Sequence, residues 1–182
     1  FFNVKSYTPV SLLKDYLKIN PDNFIEITSY THHPFYKSFI LEDKYNWTGD
    51  AYLNVPLADF EFITDNALKN GYTVGWDGDA EDAYFNYYSG LAYLPDSIKA
   101  NQQQRQLAFE NQTTLLNHMM HIVGLVYDKW GNKWYYIKNS WGSTNSLGGF
   151  LYMRADYFKI RTVAIIVNKK TISSAIRKKS GI

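Results

Sequence analysis

The 182-residue sequence predicts an α+β fold. Two runs rich in β-branched and aromatic residues, 117–125 and 134–142, flank the turn formers Asp128, Gly131 and Asn132, which is the pattern of a β-hairpin. Helix starts and amphipathic stripes appear elsewhere, at Thr8-Pro9 and again after Pro56. The aromatic share is 18%, with 16 tyrosines, so a well-packed sheet protein is expected rather than a disordered chain.

The elements follow in order. Thr8 reads as an N-cap with Pro9 in the first turn of a helix over 8–17, which Asn20-Pro21-Asp22 ends. Residues 24–28 read as a short strand, and 31–50 as an irregular segment pinned by aromatics. A second helix spans 57–69. Its buried stripe is Leu57, Phe60, Ile63, Ala67 and Leu68, and Asn70-Gly71 closes it. Residues 72–76 form a strand with Asp77-Gly78-Asp79 as the turn beyond, and 88–93 a short extended piece. The Gln-rich stretch 101–110 is a helix or a surface excursion leading to the hairpin, and two strands follow, 149–154 and 162–168. No internal repeat is visible.

The chemistry lies in the hairpin. With the turn centred near Trp130, antiparallel pairing puts His118 within about three residues of Asn139, and a twist or bulge would bring the side chains together. An Asn carbonyl that holds one ring nitrogen leaves the other free to take a proton from a nucleophile. Asn117-His118-Met119-Met120 followed by Asn139-Ser140-Trp141-Gly142 resembles the C-terminal half of papain-like cysteine peptidases, most closely their bleomycin hydrolase/aminopeptidase C branch. The resemblance covers about residues 56–170 well, and residues 1–55 only through that branch. It implies a strongly twisted antiparallel sheet closing toward a barrel, with peripheral helices. Residues 1–55 then form the tail of an upstream or inserted region, and 56–182 the His/Asn-bearing half.

By that resemblance His118 is the catalytic base, Asn139 its orienting partner and Trp141 the shield over their hydrogen bond. Trp76 and Met119 line the pocket for the second side chain on the acyl side of the cut bond, with ordinary core packing the alternative reading for both. The sequence has no cysteine. The nucleophile and the Gln of the oxyanion hole are therefore expected in a missing N-terminal half, and this chain alone is expected to be inactive. Phe1 in place of Met fits a start inside a longer product. The substrate implied is a peptide, cut at its amino end in this branch, where the chain terminus can enter the cleft. No cofactor is implied, the compartment suggested is the cytoplasm, and some members of the branch form rings, so a homo-oligomer is compatible. A catalytically inactive, peptide- or partner-binding homologue and an adhesion-type β module are the readings from other classes.

Other candidates yield to simpler explanations. A formal charge of +2 offers no footprint for nucleic acid, and no apolar run is long enough to span a membrane as a helix. His121, three residues beyond His118 in a strand, points to the other face and is assigned a structural role. Asn117 stands where many papain-like enzymes carry Asp, which removes a charge beside the imidazole. His32-His33 lack further ligands and are expected to diverge, so no metal is expected. Asp77, Asp79, Glu81 and Asp82 lack the Gly and Glu of a calcium loop. Asn46-Trp47-Thr48 and Asn111-Gln112-Thr113 fit the glycosylation acceptor pattern, which chance often produces, and Arg177-Lys178-Lys179 reads as a solvated helix face.

Overall fold

The computed structural model describes residues 5–182. Near the N-terminus Thr8 and Ser11 form a reciprocal capping box around α1 (Pro9–Ser11), which widens into a π-turn over Leu12–Tyr16. None of these helical residues is fully buried.

Among the described residues ten strands form one sheet: β1 (Phe24–Thr28), β2 (Ser38–Ile40), β3 (Ala51–Asn54), β4 (Val74–Gly78), β5 (Phe85–Asn86), β6 (Leu91–Ala92), β7 (His118–Tyr127), β8 (Lys133–Lys138), β9 (Phe150–Arg154) and β10 (Thr162–Asn168). Their spatial order is β2-β3-β1-β10-β4-β7-β8-β9-β6-β5. Most pairs are antiparallel, as expected, but β1/β3 and β6/β9 are parallel. The sheet also runs across the boundary near residue 55: β1 pairs with β10 over its whole length, and Ile27, Leu53 and Val55 belong to the main core. From Phe24 onward the expected appendage is thus part of the sheet.

The helix α2 (Leu57–Lys69) buries Leu57, Phe60, Ile63, Thr64 and Ala67, the stripe its 3.6-residue spacing dictates, with Leu68 partly buried beside them. These side chains share a core with Trp76, Ile122, Tyr135, Ile137 and Phe158. The Gln-rich stretch forms α3 (Gln102–Glu110), which turns Arg105, Gln106 and Ala108 inward. Arg105 is fully buried, with its guanidinium donating to the carbonyls of Ser29, Lys159 and Val163 and lying 4.8 Å from the rings of both Tyr30 and Phe60. Carbonyl acceptors and ring faces replace the water it gave up. Two further helices, α4 (Ala155–Arg161) and α5 (Ser174–Ser180), complete the chain, the second carrying Arg177, Lys178 and Lys179 in its last turn.

Two strand boundaries differ from the sequence expectation in a way that shapes the site. β4 runs on through Asp77 and Gly78, which were expected to turn, because both pair with β7: Asp77 faces Met119 and Gly78 faces His118. β8 stops at Lys138, and Asn139 leaves the ladder with β7 to donate its backbone N–H to Gly149 O at 3.0 Å.

Candidate active site

His118 is the first residue of β7, and Asn139 the first residue beyond β8. The last pair between these strands is His121 with Lys138, and the register shifts between Ile122 and Gly124, so the hairpin carries the bulge that its sequence invited. Beyond that last pair the two side chains meet, with His118 Nε2 lying 2.9 Å from Asn139 Oδ1. The same oxygen accepts the backbone N–H of Ser140 at 2.7 Å. A backbone N–H can only donate, so that bond fixes the Asn139 amide with its oxygen toward the ring. His118 Nε2 must then carry a proton, so that in the neutral ring the free lone pair is the one on Nδ1. Asn139 is only 2% exposed, and its Nδ2 has no hydrogen-bond partner among the described residues.

Trp141 lies over this pair, its ring 4.7 Å from the His118 ring. It is held on its other sides by Tyr87 and Phe85, which meet it edge to face at 5.2 and 6.0 Å. Tyr87 Oη donates to Gly142 O at 2.6 Å, fastening the chain just past the indole. Asn145 braces the same loop, donating to the carbonyls of Tyr87 and Phe150 and accepting from Leu147 and Gly149. Gly149 is obligatory here. Its φ is +87°, and a Cβ would sit 2.3 Å from Gly142 O. Sequence reasoning passed over Tyr87, Phe85 and Asn145, because each reaches the site from about 50 residues away or through backbone atoms.

The two residues expected to line a substrate pocket separate. Met119 is 53% exposed beside His118. Trp76 is fully buried, with its indole N–H donating to Thr162 Oγ1 at 2.7 Å, and so offers no surface to a substrate. The correction follows from strand alternation. Position 76 pairs with buried Met120, whereas position 77 pairs with exposed Met119. The acid there, Asp77, is pushed up to about 7, first by burial and then by the carboxylates of Glu26 and Asp43. His121 lies on the outer face and contacts Thr73 Oγ1 through Nε2 at 2.6 Å. Asn117 turns its amide away from the site, donating to Asp79 Oδ1 at 2.9 Å and accepting from Ala80 N at 2.9 Å.

His32 and His33 do not diverge. Their Nε2 atoms converge on the Glu42 carboxylate at 3.2 and 2.5 Å, with the rings stacked on Phe109 and Phe39 respectively. The donor atoms of all three lie within 4.8 Å of one another, close enough to consider a metal ion. The surrounding hydrogen bonds argue otherwise. Gln106 accepts Thr31 N–H through Oε1 and donates from Nε2 to both Glu110 and His32 Nδ1. His32 Nδ1 is therefore an acceptor and Nε2 is protonated, the reverse of the tautomer that would ligate a metal through Nε2. The cluster is a clasp between the 32–42 segment and α3. Burial raises the Glu42 carboxyl, but the bonds from His33 and His32 outweigh it and hold Glu42 below its ordinary range.

Comparison with known proteins adds the context. The sequence profile of the Peptidase C1-like family matches residues 1–180. Aminopeptidase G of Lactobacillus delbrueckii subsp. lactis is 26% identical over 183 residues, covering 93% of this chain and 40% of that protein. Aminopeptidase W of the same organism is 25% identical over 181 residues, covering 94% and 41%. The chain thus spans about two fifths of the length of the curated relatives it matches. Among solved structures, PepW from Lactobacillus rhamnosis HN001 superposes with a TM-score of 0.77 at 19% identity, over 96% of this chain and 42% of that one.

Proposed function

The chain belongs to the Peptidase C1-like family, and from that premise we propose that it is the His/Asn-bearing C-terminal portion of a cysteine aminopeptidase of the bleomycin hydrolase/aminopeptidase C branch. The observation that carries the reading is the His118–Asn139 bond, with the imidazole tautomer fixed by Ser140 N–H. The remainder of the protein supplies the Cys nucleophile and the oxyanion-hole Gln, and residues 24–182, whose strands share one sheet and core, form the half that opposes it.

In this scheme His118 Nδ1 takes the thiol proton, giving a thiolate–imidazolium pair. The thiolate attacks the peptide carbonyl, forming a C–S bond. As the C–N bond breaks, Nδ1–H returns its proton to the leaving amine. Water then adds to the thioester with Nδ1 again as base, releasing the acid and restoring the thiol. Asn139 holds the ring through Nε2–H in every step, so the imidazole changes charge without changing orientation. Trp141 covers one side of the bond and keeps water from competing for Asn139 Oδ1. Met119, exposed beside the base, contacts the substrate side chain on the acyl side.

Both curated relatives are called aminopeptidases, which supports cleavage at a free amino end. The test is the full-length gene product assayed on one peptide with a free and with an acetylated N-terminus. The expected result is turnover of the free peptide alone, and equal turnover of both would replace the aminopeptidase reading with an endopeptidase one.

A further inference from the structure

The segment 111–117 that delivers the chain to His118 belongs to no strand, so its backbone groups need partners from elsewhere. Residues 111–114 donate back to α3 carbonyls between Leu107 and Phe109, whereas Leu115 and Asn117, next to His118, are held at the end of β4. Asp79, only 5% exposed just past β4, accepts Leu115 N–H on Oδ2 at 3.1 Å. Its Oδ1 accepts Glu81 N–H and Asn117 Nδ2, each at 2.9 Å. Asn117 is gripped in turn, its backbone N–H donating to Gly78 O at 3.2 Å and its Oδ1 accepting from Ala80 N. Asp79 is itself anchored on α4. Its N–H donates to Arg161 O at 2.9 Å, and its carbonyl accepts Tyr157 Oη at 2.8 Å. Gly78 lets this happen, because a Cβ there would lie 2.2 Å from Arg161 O.

We propose that Asp79 and Asn117 form a clasp that fixes the start of β7 against α4, making both of them positioning residues for the His118–Asn139 pair. The clasp grips the residue immediately before His118 and the backbone two residues before that. Arg161 extends it to Thr114, donating to Thr114 Oγ1 at 2.8 Å, while its guanidinium pairs with Asp82 at 2.8 Å. His118 stands beyond the last β7–β8 pair, so its register relative to Asn139 depends on what holds 114–117 as well as on the β4 ladder. The carboxylate is specifically required. Its two oxygens face three N–H donors, and an amide in its place would set an NH2 group against at least one of them in either orientation. Asn117 is fitted just as closely, since it meets one acceptor and one donor with one amide.

The inference rests on the proposed role of His118 only for its catalytic consequence; the hydrogen bond it concerns is present whatever the chain does. The test is therefore the His118 Nε2–H signal, read by nitrogen-edited NMR on the full-length gene product beside its melting temperature. In Asp79→Asn and in Asn117→Ala, exchange of that proton with solvent is expected to quicken by about tenfold, because the bond to Asn139 opens more often. Asn66→Ala serves as the control. It removes the bond from Asn66 Nδ2 to Thr171 O on the far end of α2, and it should lower the melting temperature while leaving the His118 signal alone. Asn117→Ala keeps the backbone bonds of Asp79 and decides the matter if Asp79→Asn does not fold. A lowered melting temperature in Asn117→Ala with an unmoved His118 proton would reduce the clasp to a stabilising contact and overturn the proposal.

Discussion

Asp77 offers a prediction about stability that is independent of catalysis. Its side chain leaves β4 on the face opposite Trp76, in register with Met119 on one neighbour and Ala164 on the other. Burial is the main reason its carboxyl rises from 3.8 to about 7; Glu26 and Asp43 add to it, and only the Gly78 N–H pulls the other way. Glu26 is itself raised, by burial and then by Asp50, so the group of acids resists ionisation together. In the unfolded chain Asp77 loses its proton near its ordinary value. Below about pH 4 both states are protonated and the residue costs nothing. Between about pH 4 and 7 the unfolded state gives up the proton while the folded state keeps it, so stability falls as pH rises through this window and levels off above it. A difference of about 3 pH units at 1.36 kcal/mol each sets a ceiling of about 4 kcal/mol, and partial exposure and relaxation bring the expected cost to about 2 kcal/mol. Asp77→Asn keeps the shape and removes the titration. In urea unfolding, the variant should be more stable than the parent by about 2 kcal/mol at about pH 8 and no different at about pH 4. An equal offset at both pH values, or a variant that is weaker at the higher one, would show that Asp77 does not hold its proton in the folded protein.

Two other outcomes follow from the loop that carries Asn139. Tyr87→Phe removes the hydroxyl that holds Gly142 O, and should cost about 1 kcal/mol of stability and loosen Trp141, seen as red-shifted tryptophan emission. Gly149→Ala places a Cβ against Gly142 O at a φ of +87°, so melting should show a loss of about 2 kcal/mol or more, with the Asn139 amide signals displaced; an unshifted Asn139 would mean that the loop relaxes elsewhere.

What could be read from the sequence was local. The hairpin turn is announced by Asp128, whose carboxylate accepts from Trp130 N, Asn132 N and Nδ2, and Trp134 Nε1, all within six residues. The α2 stripe and the Thr8 cap are likewise written in nearest neighbours. His118 and Asn139 were legible because a hairpin brings residues 21 apart together by a predictable pairing. The remainder depends on distant contacts that carry no spacing signal. Trp76 could be placed beside the site but not on the correct face, because the strand was expected to end at that residue when it continues to Gly78. His32 and His33 converge because Glu42 and the rings of Phe39 and Phe109 draw them together, against the alternation expected of a strand. The Gln-rich stretch reads equally as a helix or a surface excursion; it is a helix, and the burial of Arg105 in it carries no sequence signal. The clasp joins residues nearly 40 apart through one carboxylate, and nothing in the pattern around Asp79 marks it.

The most direct test of the central claim is aminopeptidase turnover by the full-length gene product, measured in the parent and in His118→Ala, each with and without alkylation of its thiols. Alkylation should abolish activity in the parent, and His118→Ala should lower kcat/KM by about 10²–10⁴-fold with the fold intact. Activity that survives both treatments would contradict a thiol–imidazole mechanism at this site.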